Sequence, residues 1–390
     1  MSGPLEGVRV IDLSRLVAGN MLSVVLADFG ADVIKIERPG HGDDLRHWQE
    51  AGVEIYWKVY SRNKRSLTLD LKDEAAVENL LHLAASAQVL IENFLPGKLE
   101  GMGLGPDVLH ARNPNLIVVR VTGWGQTSDY RDRPGFGTLV EAMSGYAHLN
   151  GYPDKPPALP PLATADMIAG LYGAFGVMAA LRAVEIQGQS GQVIDLSLFE
   201  GIFSFVAAEA LKHRLTGRVS ERAGNQSSHT APRNVYETAD GRYIALSGSM
   251  QAMFERIART IGRGELVEDP RFLTNSDRVA NRDTLDQIVG DFIAGRDQSE
   301  VMALFDANGV TAAPIATVAD LMNHPYARSR EIFAEIGDRD MGHAPLAAPV
   351  PRLTGTPGSI RRQAPSLGED NEVILAEIAA IKRQDAGGEP

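Results

Sequence analysis

The chain has 390 residues, 44% of them hydrophobic, which is enough for two domain cores, and it carries a formal net charge of −12. That acidity excludes a general nucleic-acid binder, whose contacts to phosphate need a basic surface. The absence of cysteine excludes disulfides, thiolate catalysis and Cys-ligated metal or Fe–S centres.

The N-terminus, Met1-Ser2-Gly3-Pro4, has no basic segment leading into an apolar run, so no signal peptide is expected. Charges or Gly-rich packing faces interrupt every apolar stretch approaching the roughly 18 residues of a membrane span. A cytoplasmic protein without a membrane partner is the expectation. Short β-branched runs at 8–13, 32–37, 66–71, 89–94, 116–122 and 192–198 predict buried strands. Helical patterns at 21–29, 74–85, 137–144 and 167–187 alternate with them. This βαβ order implies an α/β fold with a Rossmann-like, mostly parallel sheet covered on both faces. A polar, basic stretch with Lys212, Arg214, Arg218 and Arg222 then reads as a linker. A smaller α+β unit follows, with a strand at 243–247 and helices near 253–261, 285–294 and 299–308. Beyond Asp320 the chain reads as irregular and Pro-rich until a short helix at 372–381. The expected division is 1–205 for the large domain, 206–223 for a linker, 224–325 for the small domain and 326–390 for a second linker returning to the large domain.

The first strand–helix turn, Asp12 to Asn20, lacks G-x-G-x-x-G, and no Walker A or G-x-S-x-G sequence occurs. The nine histidines are scattered without metal-ligand spacing, so no metal is expected. Basic residues gather at Arg38, at 62–65 and at Lys72. They read either as a solvated turn or as a phosphate grip at strand ends. Asp166 follows a Pro-rich approach, 156–161, and opens the apolar helix. A carboxylate there is either an ordinary helix cap or a nucleophile kept ionised by free N–H groups and the helix dipole.

Several long segments resemble the class III CoA-transferase family. They are 4–13, 26–37 (Asp28-Phe29-Gly30-Ala31-Asp32-Val33 at its heart), 63–72, 92–97, Ala165-Asp166 and 191–198, then 236–243 and 269–272 in the smaller unit. The resemblance spans nearly the whole chain. It implies a large α/β domain and a small domain joined by long linkers, in a homodimer whose subunits interlock. The active site would then lie between the large domain of one subunit and the small domain of the other. It also implies that Asp166 attacks an acyl-CoA thioester and passes CoA to a carboxylic acid through aspartyl anhydride and aspartyl-CoA intermediates. Coenzyme A is then a co-substrate, with no tightly bound cofactor. Leu16, Val17 and Ala18 would line the adenine–pantetheine path, and Arg38 and Lys72 would meet phosphates. Leu69, Asn93, Phe94 and Met102 would complete the cleft, with Trp124 near the thioester. Gly101 stands where a transferase of the family has a basic residue, and Lys98 is the nearby substitute.

The family's racemase branch needs an acid–base pair about the α-carbon. Its histidine position is Phe136 here, and the segment 247–250 has no acid, so the transferase branch fits better. The segment 222–230 also lacks the glycine-rich shielding loop of formyl-CoA transferase. Gln226, His229 and Arg233 suit a second carboxylate, which favours a dicarboxylic acceptor. A racemase-like or hydrolytic acyl-CoA enzyme and a non-catalytic acyl-CoA-binding protein are the alternatives.

Overall fold

The computed structural model describes residues 3–386. The chain divides into two units. The first takes the chain up to Tyr146, Leu159–Gly217 and the chain from Arg328 onward; the second takes Ala147–Ala158 and Arg218–Ala327.

In the first unit, β1 (Arg9–Asp12) leads into α1 (Leu16–Asp28), and β2 (Asp32–Glu37) is followed by α2 (Ile55–Ser61) and β3 (Lys64–Thr68). Next come α3 (Glu74–Ala85), β4 (Val89–Glu92), the single-turn α4 (Lys98–Gly101), α5 (Pro106–Arg112) and β5 (Ile117–Thr122). Two short helices, α6 (Gly137–Met143) and α7 (Tyr146–Leu149), precede the long α8 (Thr164–Gln187). Then β6 (Val193–Ser197), α9 (Leu198–Phe203) and α10 (Ala207–Thr216) follow. The six strands form one sheet in the order β3-β2-β1-β4-β5-β6, every pairing parallel.

Alternation along these strands builds the two cores. Val10, Val33, Val89, Ile91, Ile117 and Val119 join α1 and α8 on one face. Ile11, Ile34, Leu90 and Val118 face the other way, against Leu80 and Leu83 of α3. Small residues let α1 and α8 approach closely. A Cβ on Gly173 would lie 2.4 Å from Leu22 Cδ1, and one on Gly170 would lie 2.7 Å from the Met21 side chain. Among the described residues α8 alone is long and apolar enough to cross a membrane by length and composition, with 39% of that window buried. Its inward face is committed to this helix contact.

The second unit pairs β7 (Arg233–Glu237) with β8 (Tyr243–Ser247), and it carries α11 (Gln251–Thr260), α12 (Asn275–Ala280), α13 (Arg282–Ala294) and α14 (Gln298–Ala307). Its third strand is β9 (Ala312–Pro314), antiparallel to β8, and α15 (Val318–Met322) and α16 (Pro325–Ser329) lead out. Tyr236, Ile244, Phe254, Phe272 and Phe305 share its core. The later stretch expected to be irregular instead forms a hairpin, β10 (Phe333–Asp338) with β11 (Gly342–Ala347), before α17 (Asn371–Ala386). Lys58 on α2 clasps that hairpin through Asp338 and Asp340, at 2.7 and 2.6 Å. Such a tertiary ion pair leaves no local sequence signal. The expected linker 206–223 carries α10, and β3 begins at Lys64 rather than 66 because its lysine is buried.

Candidate active site

Strand order reverses between β1 and β4, so their connections diverge and open a crevice beyond the strand ends. A cavity of about 490 Å³ occupies it. Leu13, Ser14 and Arg15 come from the connection after β1, Arg38 from that after β2, Leu69 and Lys72 from that after β3, and Phe94 from that after β4. Lys98 and Met102 close it from α4 and the residue after it. Arg38, Lys72 and Lys98 make no ion pair among the described residues, which leaves three cations for an anionic ligand. A Cβ on Gly101 would meet nothing within 4 Å, so the chain has room there for a basic side chain but supplies none.

A buried charge network forms the floor. Asp12 at the end of β1 meets Lys35 of β2 and Lys64 of β3, each at 3.2 Å and each fully buried. Lys35 also donates to the Ser14 carbonyl and pairs with Asp43 at 3.1 Å. Burial alone would raise the Asp12 carboxyl, but Lys35, Lys64 and the hydroxyls of Ser14 and Ser23 outweigh it and lower it to about 2. Burial drags Lys64 down to about 8, against the opposing pull of Asp12. Asp43 in turn accepts from the Leu16 N–H at 3.0 Å. That bond holds Leu16 at φ 61, a left-handed conformation disfavoured for a residue with a side chain. The network therefore sets the backbone of the first turn, 14–16, from below.

Asp166 is the third residue of α8, not its cap. The cap position is Ala163, which offers no side chain to the open N–H groups. Glu141 of α6 takes that part: its Oε1 accepts the Ala165 N–H at 3.0 Å, and the side chain is 2% exposed. The Asp166 carboxylate is half-buried and lies against Gly137, where a Cβ would be 2.1 Å from Oδ2. It makes no ion pair among the described residues. The helix-start argument predicts an easily ionised group, and the structure reverses that. Burial, followed by the charge of Glu141, raises Asp166 to about 6. Leu16 and Val17 pack in one small cluster with Ala163 and Met167, joining the end of the cavity's first turn to the start of α8.

The structure thus gathers Arg38, Leu69, Lys72, Phe94 and Met102 around one cavity. Asn93 stands beside it and clamps Arg15, accepting its N–H at 2.9 Å and donating to its carbonyl at 2.7 Å. Val17 and Ala18 are buried in packing clusters and Leu16 is half-buried, and none of the three lines the cavity. Trp124 does not line the cavity; it donates to the Pro134 carbonyl at 3.0 Å, meets Tyr130 edge-on and packs at a tilt against Phe199. It belongs to the side of Gly135, Phe136 and Gly137, next to Asp166.

The basic run 62–65 is neither a solvated turn nor a phosphate grip. Arg62 and Asn63 bind Asp28, Lys64 binds Asp12, and Arg65 binds Asp32 and Glu377. Glu141, Asp12, Lys35 and Asp43 are the residues that sequence reasoning passes over. For Asp12, Lys35 and Glu141 the one signal is a charge inside a segment that otherwise reads as buried, and Asp43, in a polar loop, leaves none. In the second unit, Arg233 with Asn225, Asn234, Ser247 and Thr311 lines a cavity of about 560 Å³. Gln226 is committed to Asp283 and Asp286, at 3.2 and 2.8 Å. His229 uses its backbone to bind Ser227 and Asn275. No group of three or more potential metal ligands occurs among the described residues.

Comparison with known proteins gives this arrangement its context. The sequence model of CoA-transferase family III matches residues 5–371. The succinyl-CoA–D-citramalate CoA-transferase of Chloroflexus aurantiacus is 36% identical over 98% of this chain and 96% of its own length. The beta subunit of succinyl-CoA–L-malate CoA-transferase from the same organism is 39% identical over 97% and 95%. A crystal structure of a CAIB/BAIF family protein from Brucella suis superposes with a TM-score of 0.86 at 34% identity, covering 97% of this chain and 100% of that one. The parallel sheet, the cavity at its switch point and these full-length matches lead to one assignment: the chain belongs to CoA-transferase family III, enzymes that move coenzyme A between an acyl-CoA and a carboxylic acid.

Proposed function

We propose that the enzyme carries coenzyme A from an acyl-CoA donor to a dicarboxylic acid through covalent intermediates on Asp166. The observation that carries this reading is a carboxylate without a cationic partner among the described residues, raised to about 6, in the first turn of α8 and set against Gly137. An Asp166 oxygen adds to the thioester carbonyl, the C–S bond breaks, and CoA departs as thiolate. The thiolate then adds to the Asp166 carbonyl carbon of the mixed anhydride. The donor's acid leaves as carboxylate, and aspartyl-CoA remains. A second acid runs the same steps backwards, so the thioester energy is kept without ATP. Phe136, which precedes Gly137 in the chain, has no exchangeable proton and speaks against racemisation.

Three cations without an ion pair among the described residues support the switch-point cavity as the CoA site, with Arg38, Lys72 and Lys98 toward phosphates and Leu69, Phe94 and Met102 along the apolar part. Relatives that act with succinyl-CoA and with citramalate or malate support a dicarboxylic acceptor. We assign Arg233, whose guanidinium among the described residues bonds only the Gln226 carbonyl, at 3.3 Å, to the distal carboxylate.

Steady-state kinetics with succinyl-CoA and a panel of dicarboxylates test both sites at once. Lys98→Ala is expected to raise the KM for acyl-CoA roughly tenfold and leave the KM for the acid, whereas Arg233→Ala does the reverse. Parallel shifts in both constants for either variant sink that assignment.

We also propose a homodimer, interlocked as the family resemblance implies. Its support is the apolar face that α8 turns outward, where Leu171, Phe175 and Ile186 are more than half exposed. Analytical ultracentrifugation is expected to give twice the 42.0 kDa chain mass, and a lone chain at micromolar concentration rejects the dimer.

A further inference from the structure

Two carboxylates share the start of α8, and only one has a place in the chemistry above. Glu141 stands one helical turn beyond Gly137 on α6, and Gly137 is the residue against the Asp166 carboxylate. The Glu141 side chain is 2% exposed, has no cationic partner among the described residues, and caps α8 through the Ala165 N–H. A neutral amide would accept the same bond, so the hydrogen bond by itself does not require the charge.

We infer that Glu141 is a positioning residue for the transfer: it fixes the first turn of α8, and its negative charge favours the acylated, uncharged form of Asp166 over the free carboxylate. The inference rests on the covalent reading of Asp166. In the half-reaction, Asp166 carboxylate and a neutral acyl-CoA become a neutral aspartyl-CoA and a released carboxylate. Atoms and charge balance, and the charge that Glu141 repels leaves the protein with the departing acid. Repulsion present in the free enzyme is therefore absent from the intermediate. The enzyme-bound thioester gains population without any new contact to substrate.

The other groups around α8 do not offset that charge. Tyr60 of α2 lies within reach of the Asp166 charge and is itself pushed up by burial, by Tyr56 and by Asp166. On α1 the polar side chains are Asn20 and Ser23, with Asp28 at the far end paired to Arg62 at 2.7 Å. Glu200 lies on α9, Arg120 of β5 is tied to Glu92 and Glu100, and Asp195 of β6 holds the Gln126 N–H. On the approach to α6, Arg133 stacks over the Tyr130 ring at 3.6 Å. The elevated Asp166, with burial its first cause and Glu141 its second, agrees with this geometry.

Intact-protein mass spectrometry with succinyl-CoA tests the inference. In Glu141→Gln, which keeps the cap and removes the charge, the ratio of CoA adduct to free enzyme is expected to fall roughly three- to tenfold. The acid limb of adduct formation, near 6 in the wild type, moves to lower pH. Glu141→Asp, which restores the charge and shortens the reach, is expected to keep most of the wild-type ratio despite a lower melting temperature. A folded Glu141→Gln protein with the wild-type ratio and pH limb overturns the inference and leaves the covalent reading standing. No adduct on the wild type overturns both. Should the glutamine variant fail to fold, a wild-type acid limb near the ordinary carboxylate value of 3.8 overturns the inference by itself.

Discussion

Asp166→Ala is expected to lose CoA transfer by on the order of 10⁴-fold or more in kcat, while acyl-CoA still binds within a few-fold of the wild type. The split follows from the layout. The cavity lined by Arg38, Lys72, Lys98 and Met102 does not include Asp166, so removing the nucleophile leaves the CoA-binding groups in place. A second readout has the opposite sign. The fold raises Asp166 above its ordinary 3.8 to about 6, chiefly by burial and then through Glu141, so the native state resists its ionisation. A raised carboxyl costs nothing below its unfolded value, and its penalty is complete above its folded value. The alanine variant should therefore melt higher than the wild type at neutral pH, and the gain should vanish below about pH 4. Initial rates, calorimetric titration with acyl-CoA and thermal melts across pH check all three statements. A variant retaining about a tenth of the activity would falsify the nucleophile assignment.

Asp12→Ala is expected to cost about 3–5 kcal/mol of stability, the usual consequence of removing one partner of a buried ion pair. Here a single carboxylate serves Lys35 and Lys64, both fully buried, and also accepts from Ser14 and Ser23. Alanine leaves two ammonium groups with less than one compensating charge each. Asp43 can answer only Lys35 directly, at 3.1 Å. The sign with pH is fixed by the lowered carboxyl. Its contribution is complete above 3.8 and is lost as pH falls toward about 2. Chemical denaturation from neutral pH to pH 2 should therefore show the wild type converging on the variant, by about 2 kcal/mol. Parallel curves with a constant gap reject the electrostatic account and leave only lost packing.

The layers of this fold were legible because they depend on period. Strands such as Asp32–Glu37 and Val89–Glu92 are apolar where both faces are covered, and helices such as Glu74–Ala85 carry a local cap and an apolar stripe. What local pattern hides is any contact between distant parts of the chain. Lys64 lies in a basic run that looks exposed, and only its register beside Val33 on β2 places it in the interior. The hairpin of β10 and β11 is anchored to α2 by Lys58, some 280 positions away in the sequence. Of the site, Asp166 and the cations at the strand ends could be read as candidates. The environment of Asp166 could not be read, because the helix-start argument sees only its own turn and Glu141 arrives from another helix. A lone acid in the apolar helix Gly137–Met143 is the trace that such a partner leaves.

The last helix has a bearing on how the protein is made. Ile374 and Ile378 of α17 fill the core beside α3 and β3, and Glu377 bridges Arg9 and Arg65 at 2.9 and 2.6 Å. That face of the sheet therefore lacks its last covering helix until α17 leaves the ribosome. At about 5–20 residues per second, the nascent first strand waits roughly 20–80 s for its closing helix. During that interval the apolar face built from Ile11, Ile34 and Leu90 has only the earlier helices α3 to α5 for cover, and the second unit, whose segments are already complete, can fold ahead of the one that started first.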